Sequence, residues 1–299
     1  MKVLFAGCGD IGVRAIRMLP NSSLKKVYQA LAMRRNTSVL PANIETIKGD
    51  LCNRKDFLNI LDTSHIDAIV VTLTPDHMSD QGYLDSYVTG ARALKFAFRK
   101  TTHTPRLVIW ISSSGVYGQT NGEWVDEISE VSPKSYRGRR LLEAEQIVRS
   151  LSDDMMSYEK HSVKSVVIRF SGIYGPGRGR LLSKIKQGIV APKEPRYWTN
   201  RIHSEDCAGI IIHFLELYAQ SKHLANLYLA TDDEPMSAHE VQSWLAKEMK
   251  VSFSENDNEK NEKLNTVANR RCSNKLLKQS GYRFIFPNFR EGYRPLLSK

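Results

Sequence analysis

The chain has 299 residues, enough at ~150 residues per domain for one large domain or two modest ones, and its 41 % hydrophobic and 25 % charged residues exclude wholesale disorder and a fibre. No stretch approaches the ~18 apolar residues of a membrane span, and the short apolar run at the N-terminus reads as a first strand and not as a signal peptide, so a cytoplasmic protein with no membrane association is expected. Lys and Arg number 43 against 32 Asp and Glu, a net charge of +11 that suits a phosphate-bearing ligand; the basic residues are scattered, so nucleic acid is not an expected partner.

The first predicted element is a buried strand over Lys2–Ala6. Gly7-Cys8-Gly9-Asp10-Ile11-Gly12 follows, then helical spacing through Val13, Ile16, Arg17 and Leu19, stopped by Pro20. Three glycines between a strand and a helix each have a task. Gly7 permits the tight turn, Gly9 lets the backbone approach a pyrophosphate, and Gly12 allows close helix–strand packing. Asp10, Ile11 and Gly12 open the helix, whose N-terminus presents N–H groups and a positive dipole end to the phosphates. The loop therefore predicts a dinucleotide site.

A second strand over Val27–Met33 ends in Arg34-Arg35. An acid there would bond the ribose 2′-hydroxyl of NAD; two guanidinium groups suit a 2′-phosphate, so NADP is the expected cofactor and NAD the alternative. A third strand near Glu45–Lys48 leads to Asp50 and Leu51, which are placed to frame the adenine. Leu58–Leu61 has helical spacing. Asp67–Leu73 is a β-branched run typical of a buried strand, and Leu73 and Thr74 at its end join the expected cofactor-binding set. Residues Gly82–Lys100 show helical spacing and Arg106–Ser112 another apolar strand. The run Ile109–Gly118 closes at the carboxyl edge of the sheet, where open α/β sheets bind ligands. Tyr136 and Arg140 lie four residues apart on one helix face. Arg137–Leu151 is an amphipathic helix and Val163–Phe170 a further strand. This alternation predicts an α/β fold, a Rossmann-type doubly wound parallel sheet with helices on both faces.

After Phe170 the punctuation changes: Gly172, Gly175, Pro176, Gly177 and Gly179 crowd together. A boundary is placed there, giving a cofactor domain over residues 1–170 and a smaller C-terminal domain over 171–202 and 231–299. His203–Gln220 reads as a helix and Asn226–Ala230 as a strand. Ser237-Ala238-His239-Glu240 is a capping box opening a helix through Met249. Ser252–Lys263 is polar and charged, a solvated loop with no expected part in catalysis. Cys8, Cys52, Cys207 and Cys272 show no metal-ligand or dithiol spacing, so no metal is expected. Cys8 sits where a helix N-terminus would lower a thiol pKa.

Taken together, the glycine loop, Ser112-Ser113-Ser114-Gly115-Val116-Tyr117-Gly118, Arg169-Phe170-Ser171-Gly172-Ile173-Tyr174-Gly175-Pro176-Gly177-Arg178, Ile202-His203-Ser204-Glu205-Asp206 and Asn226-Leu227-Tyr228 resemble the extended short-chain dehydrogenases/reductases of the NAD-dependent epimerase/dehydratase group. The resemblance implies a Rossmann domain holding NAD(P), which residues 203–230 rejoin, and a C-terminal domain holding a small substrate, often a nucleotide sugar. It implies that Ser113 bonds the substrate oxygen and that Tyr136 moves the proton. The family's Lys falls on Arg140, a departure that keeps the positive charge favouring the tyrosinate. The acidic pair of sugar-nucleotide dehydratases falls on Ser114 and Gly115, which disfavours that reaction. Arg178 is a candidate for a substrate phosphate, Trp198 for stacking on a substrate ring, and His203 for a substrate-facing role. A homodimer through the helices near Gly82–Lys100 and Arg137–Leu151 is implied by analogy. The expected function is an NAD(P)-dependent oxidoreductase or epimerase; the alternative, prompted by the missing Lys, is a non-catalytic NADP-binding redox sensor or partner-binding module.

Overall fold

The computed structural model describes residues 1–26, 28–152, 163–253 and 269–297; positions 254–263 of the predicted polar loop lie outside the described residues. The chain runs through β1 (Lys2–Ala6), α1 (Asp10–Met18), β2 (Gln29–Arg34), β3 (Thr46–Lys48), α2 (Arg54–Ser64), β4 (Ala68–Val71), α3 (Asp80–Tyr83), α4 (Thr89–Lys100), β5 (Leu107–Ser113), β6 (Glu123–Val125) and α5 (Tyr136–Arg149). It continues through β7 (Lys164–Phe170), β8 (Gly172–Tyr174), α6 (Arg180–Lys186), β9 (Trp198–Thr199), β10 (Arg201–His203), α7 (Ser204–Ala219), β11 (Leu227–Ala230), β12 (Met236–Ser237), α8 (Ala238–Glu248), β13 (Arg270–Cys272), α9 (Lys275–Gln279) and α10 (Phe289–Leu297).

Seven strands form one sheet in the order β11-β7-β5-β4-β1-β2-β3, with β1 parallel to β2 and β4, β2 parallel to β3, and β4 parallel to β5. The reason is legible in β4, Ala-Ile-Val-Val, every residue of which is buried. A strand without polar alternation has to be covered on both faces, which crossover helices supply. Leu4, Leu31, Ile69, Val108 and Trp110 from the strands pack with Phe57, Leu94 and Phe98 from α2 and α4 in one core. The strand order reverses between β1 and β4, and the crevice at their carboxyl ends is where such sheets take ligands.

The helical spacing over Gly82–Lys100 is met by a continuous helical run from α3 into α4, with one irregular stretch inside it. Leu84–Val88 between α3 and α4 is a π segment, and within it the Tyr87 hydroxyl donates to the Leu73 carbonyl at 3.1 Å.

By its internal contacts the chain divides into two units: Met1–Val116, Pro133–Arg169 and Ala208–Tyr228 in the first, Tyr117–Ser132, Phe170–Cys207 and Leu229–Lys299 in the second. Residues Tyr117–Ser132 fall in the second unit because β6 pairs with β13, with Glu123 opposite Arg270, a long-range register that no local pattern announces. In the first unit, Glu145 of α5 is buried. It accepts from Ser112 Oγ at 2.6 Å and from Arg169 Nη2 at 2.6 Å, so Arg169 is committed to a carboxylate. In the second unit, Tyr174, Ile185, Val241, Leu245, Phe289 and Tyr293 form a separate core, and the predicted capping box at Ser237 and Glu240 opens α8. Buried Asp206 accepts from the Ile285 and Phe286 backbone and the Tyr282 hydroxyl, while burial pushes its carboxyl up to about 6.

Candidate active site

The glycine loop leaves β1 at Ala6 and enters α1 at Asp10. Gly7 has φ +69°, and a Cβ there would meet the Leu73 side chain at 2.8 Å. At Gly12 a Cβ would meet Cys8 Sγ at 2.9 Å and Thr72 Oγ1 at 3.3 Å, so this glycine serves helix–strand packing. Gly9 is different. Its nearest neighbour to a Cβ is the Gly7 carbonyl at 3.9 Å, so packing among the described residues does not require a glycine there. Gly9 is the N-cap of α1 and offers no side-chain cap, so the turn that opens the helix carries no side chain on its loop side. Such a cradle, which a side chain would fill, fits a pyrophosphate.

Beside it lies a cavity of about 600 Å³. Gly7, Gly9, Arg34, Arg35, Asp50, Leu51, Leu73 and Thr74 line it; the other expected cofactor residues, Asp10, Ile11 and Gly12, lie in the first turn of α1 and are not lining residues. Asp10 instead pairs with Arg14 at 2.7 Å. Arg34 Nη1 donates to the Cys8 carbonyl at 3.1 Å. Arg35 is gripped by Asp76, Nη1 to Oδ2 at 2.8 Å and Nη2 to Oδ1 at 2.5 Å, and the guanidinium holds the Asp76 carboxyl below the usual carboxylate range. Asp76 and Asp85 line the cavity without having been singled out in the sequence; the available signal for Asp76 was an acid two residues past Thr74 at the carboxyl edge of the sheet. The expectation for Cys8 is corrected. Its side chain is buried, and desolvation pushes the thiol up to about 12 against the lowering effect of Arg34, so it is an inert thiol.

Ser113 closes β5, and its Oγ accepts from the Gly115 N–H at 3.1 Å. Tyr136 opens α5, capped by Ser135 Oγ, which accepts from Gly138 N. A Cβ on Gly138 would collide with the Gly115 carbonyl, so the start of α5 packs directly on the loop that follows Ser113. The Tyr136 hydroxyl donates to the Met78 carbonyl at 2.5 Å and accepts from Arg137 Nε at 3.3 Å. Arg140 is turned elsewhere: it bonds Asp80 through Nε and Nη2 and Glu143 through Nη1. The cation at the phenol oxygen is thus Arg137, adjacent in sequence and missed because the family spacing points to position 140.

The second unit has its own cavity of about 560 Å³. Arg178, Arg180, Lys184 and Arg201 line it with Tyr174 and Val241, and among the described residues no carboxylate lines it. Arg201 is buried; its Nη2 donates to the Thr199 hydroxyl, and its Nη1 has no hydrogen-bond partner among the described residues. Trp198 and His203 are not lining residues. The Trp198 ring lies against the guanidinium groups of Arg196 and Arg271, at 4.3 and 4.9 Å, which occupy it as a stacking surface. His203 is buried, with Nδ1 accepting from Glu205 N at 3.2 Å and its ring packed on Tyr174 and Phe286, which makes it a packing residue at the start of α7.

The sequence profile of the NAD dependent epimerase/dehydratase family matches residues 7–227, most of the chain. The chain belongs to the NAD dependent epimerase/dehydratase family. Among solved structures, a Methylobacillus flagellatus protein assigned to the NAD-dependent epimerases/dehydratases is 29 % identical, with a TM-score of 0.78 over 99 % of this chain and 97 % of that one. The UDP-glucose 4-epimerase of Thermus thermophilus, solved with NAD, is 18 % identical, with a TM-score of 0.74 over 100 % of this chain and 98 % of that one, a likeness of fold. The sterol-4-alpha-carboxylate 3-dehydrogenase, decarboxylating, of Candida albicans is 28 % identical over 197 residues, 62 % of this chain; the match spans about half the length of that enzyme, 53 %. The epimerase/dehydratase family is one of enzymes that work with a nicotinamide cofactor.

Proposed function

We propose that this epimerase/dehydratase binds NADP(H), with NAD(H) as the alternative, in the cavity beside the glycine loop and acts as an oxidoreductase or epimerase on a sugar nucleotide or another small carbonyl or alcohol. The observation that carries the reading is Gly9, a glycine that packing does not need, at the mouth of a cavity lined by Arg34 and Arg35. When bound, the nicotinamide supplies or takes up the hydride.

The residues of the chain have the following tasks. The Ser113 Oγ accepts the Gly115 N–H, which leaves its own proton to donate to the substrate oxygen. Tyr136 holds the proton that is transferred. Its hydroxyl now donates to the Met78 carbonyl, and a substrate oxygen takes that acceptor's place. Arg137 donates to the same phenol oxygen and meets the negative charge that forms there. Arg140 adds positive charge one turn further along α5, shared with Asp80 and Glu143. In the second unit, Arg178 with Arg180, Lys184 and Arg201 binds an anionic group, and a diphosphate matches four cations with no carboxylate among the described lining residues. A homodimer through the outer faces of α4 and α5 and a cytoplasmic location belong to the same reading.

The test is turnover. A panel of sugar nucleotides, simple ketones and alcohols is offered with NADP(H) and NAD(H), and the near-ultraviolet absorbance of the reduced nicotinamide is followed. Turnover in the wild type that Tyr136→Phe loses, with cofactor binding retained, supports the reading. Cofactor binding without turnover on any substrate favours the sensor.

A further inference from the structure

The end of β2 offers two arginines and no carboxylate, yet the cavity around it is well supplied with negative charge. Asp50, Asp76 and Asp85 line it together with Arg34 and Arg35. Asp76 comes from the loop after β4 and reaches across 41 residues of sequence to Arg35, which it holds by a two-point contact of 2.8 and 2.5 Å. The carboxylate that the β2 end lacks is therefore brought in from the neighbouring loop.

We propose that Asp76 sets which dinucleotide the cavity prefers, by occupying the fork of Arg35 and by repelling a 2′-phosphate. The inference rests on the cavity being the dinucleotide site. In sheets of this kind the ribose substituent is read at the end of the second strand. A 2′-phosphate seeks the same bidentate face of a guanidinium that a carboxylate does, so it has to displace Asp76 from Arg35 or share the cation with it. The side chains of Arg35 and Asp76 are 59 % and 55 % exposed, and an exposed pair is weakly held. Displacement is therefore accessible, and the cost that persists is the like-charge repulsion between the phosphate and a carboxylate a few ångströms away. NAD has a neutral hydroxyl at that position, which donates to a carboxylate and is not repelled. The charge of Asp76 thus penalises one cofactor and not the other. Arg34, whose Nη1 is bonded to a backbone carbonyl and not to an acid, is the cation left to favour the phosphate.

The experiment is calorimetric titration of NADP+ and NAD+ into the wild type, Asp76→Asn and Asp76→Glu, each checked for folding by circular dichroism. Removing one charge at this distance is expected to raise the ratio of NADP+ to NAD+ affinity by about tenfold in Asp76→Asn. Asp76→Glu keeps the charge and is expected to hold the ratio near the wild-type value. A ratio unmoved in Asp76→Asn, with both cofactors bound, overturns the inference and leaves the dinucleotide reading standing. An equal rise in Asp76→Glu also overturns it, since charge would not be the cause. Failure of the wild type to bind either dinucleotide overturns the reading and the inference together.

Discussion

Arg140 lies fork to fork against Asp80, with Nε to Oδ1 at 2.8 Å and Nη2 to Oδ2 at 3.0 Å. A third bond joins its Nη1 to Glu143, so two carboxylates offset the charge that family spacing assigns to the tyrosine. The guanidinium at the phenol belongs to Arg137, 3.3 Å from the Tyr136 oxygen. If proton transfer runs through Tyr136, Tyr136→Phe lowers the single-turnover rate by ~10²–10⁴-fold. Arg137→Gln lowers it about tenfold, the scale of one nearby charge. Arg140→Lys, which keeps the charge and loses only the fork, stays within about threefold of the wild type. Equal rates for wild type and Arg137→Gln would remove Arg137 from the account.

The buried pair of Glu145 and Arg169 is expected to control stability. Both side chains are nearly inaccessible, at 1 % and 2 %, and the carboxylate also receives the Ser112 hydroxyl. Removing one partner takes the buried counter-charge from the other, at a cost of ~3–5 kcal/mol. Urea unfolding of Glu145→Ala should show a loss on that scale. A loss below ~1 kcal/mol would mean that Arg169 reaches solvent or another acceptor once Glu145 is gone.

Asp232 makes stability depend on pH. It is buried, and desolvation pushes its carboxyl up to about 8 against the lowering effect of Arg201. In the unfolded chain an Asp ionises near its ordinary value of 3.8. Between 3.8 and about 8 the fold therefore keeps a proton that the unfolded chain releases. The contribution is fully present below that window and is lost as pH rises through it, at up to ~1.4 kcal/mol per pH unit. Asp206, raised to about 6, adds a fall of the same sign at the acid end. Asp232→Asn should flatten the fall between about pH 6 and 8 measured by chemical denaturation; an unchanged slope would show that Asp232 is ionised in the fold.

Much of the first unit was legible because its signals are local. The three glycines, the apolar run of β4 and the paired arginines at the end of β2 each declare themselves within a few residues, and the cavity gathers eight of the positions named from sequence. What was hidden is what the topology brings together. Asp76 meets Arg35 because β1 lies between β2 and β4, so the carboxyl ends of these strands share one edge. Glu145 looks like one more charge on an amphipathic helix until α5 turns it toward Arg169 on β7. Trp198 and His203 are residue types suited to a ligand. Cation–π contacts with Arg196 and Arg271 and packing on Phe286 absorb them, and the cationic cavity that holds Arg178 is completed by Arg180, Lys184 and Arg201 instead.

A glycine loop that cradles the pyrophosphate of a nicotinamide dinucleotide is tested most directly by Gly9→Val. The backbone at Gly9 is extended, with φ −111° and ψ −151°, and the protein itself leaves room for a side chain, so the fold tolerates the change. The valine methyls would occupy the space the pyrophosphate needs. Native mass measurement with added NADP+ and NAD+ should show dinucleotide on the wild type and at least ~100-fold weaker binding to a Gly9→Val protein with an unchanged circular dichroism spectrum. A folded Gly9→Val protein that carries dinucleotide as tightly as the wild type would contradict the account.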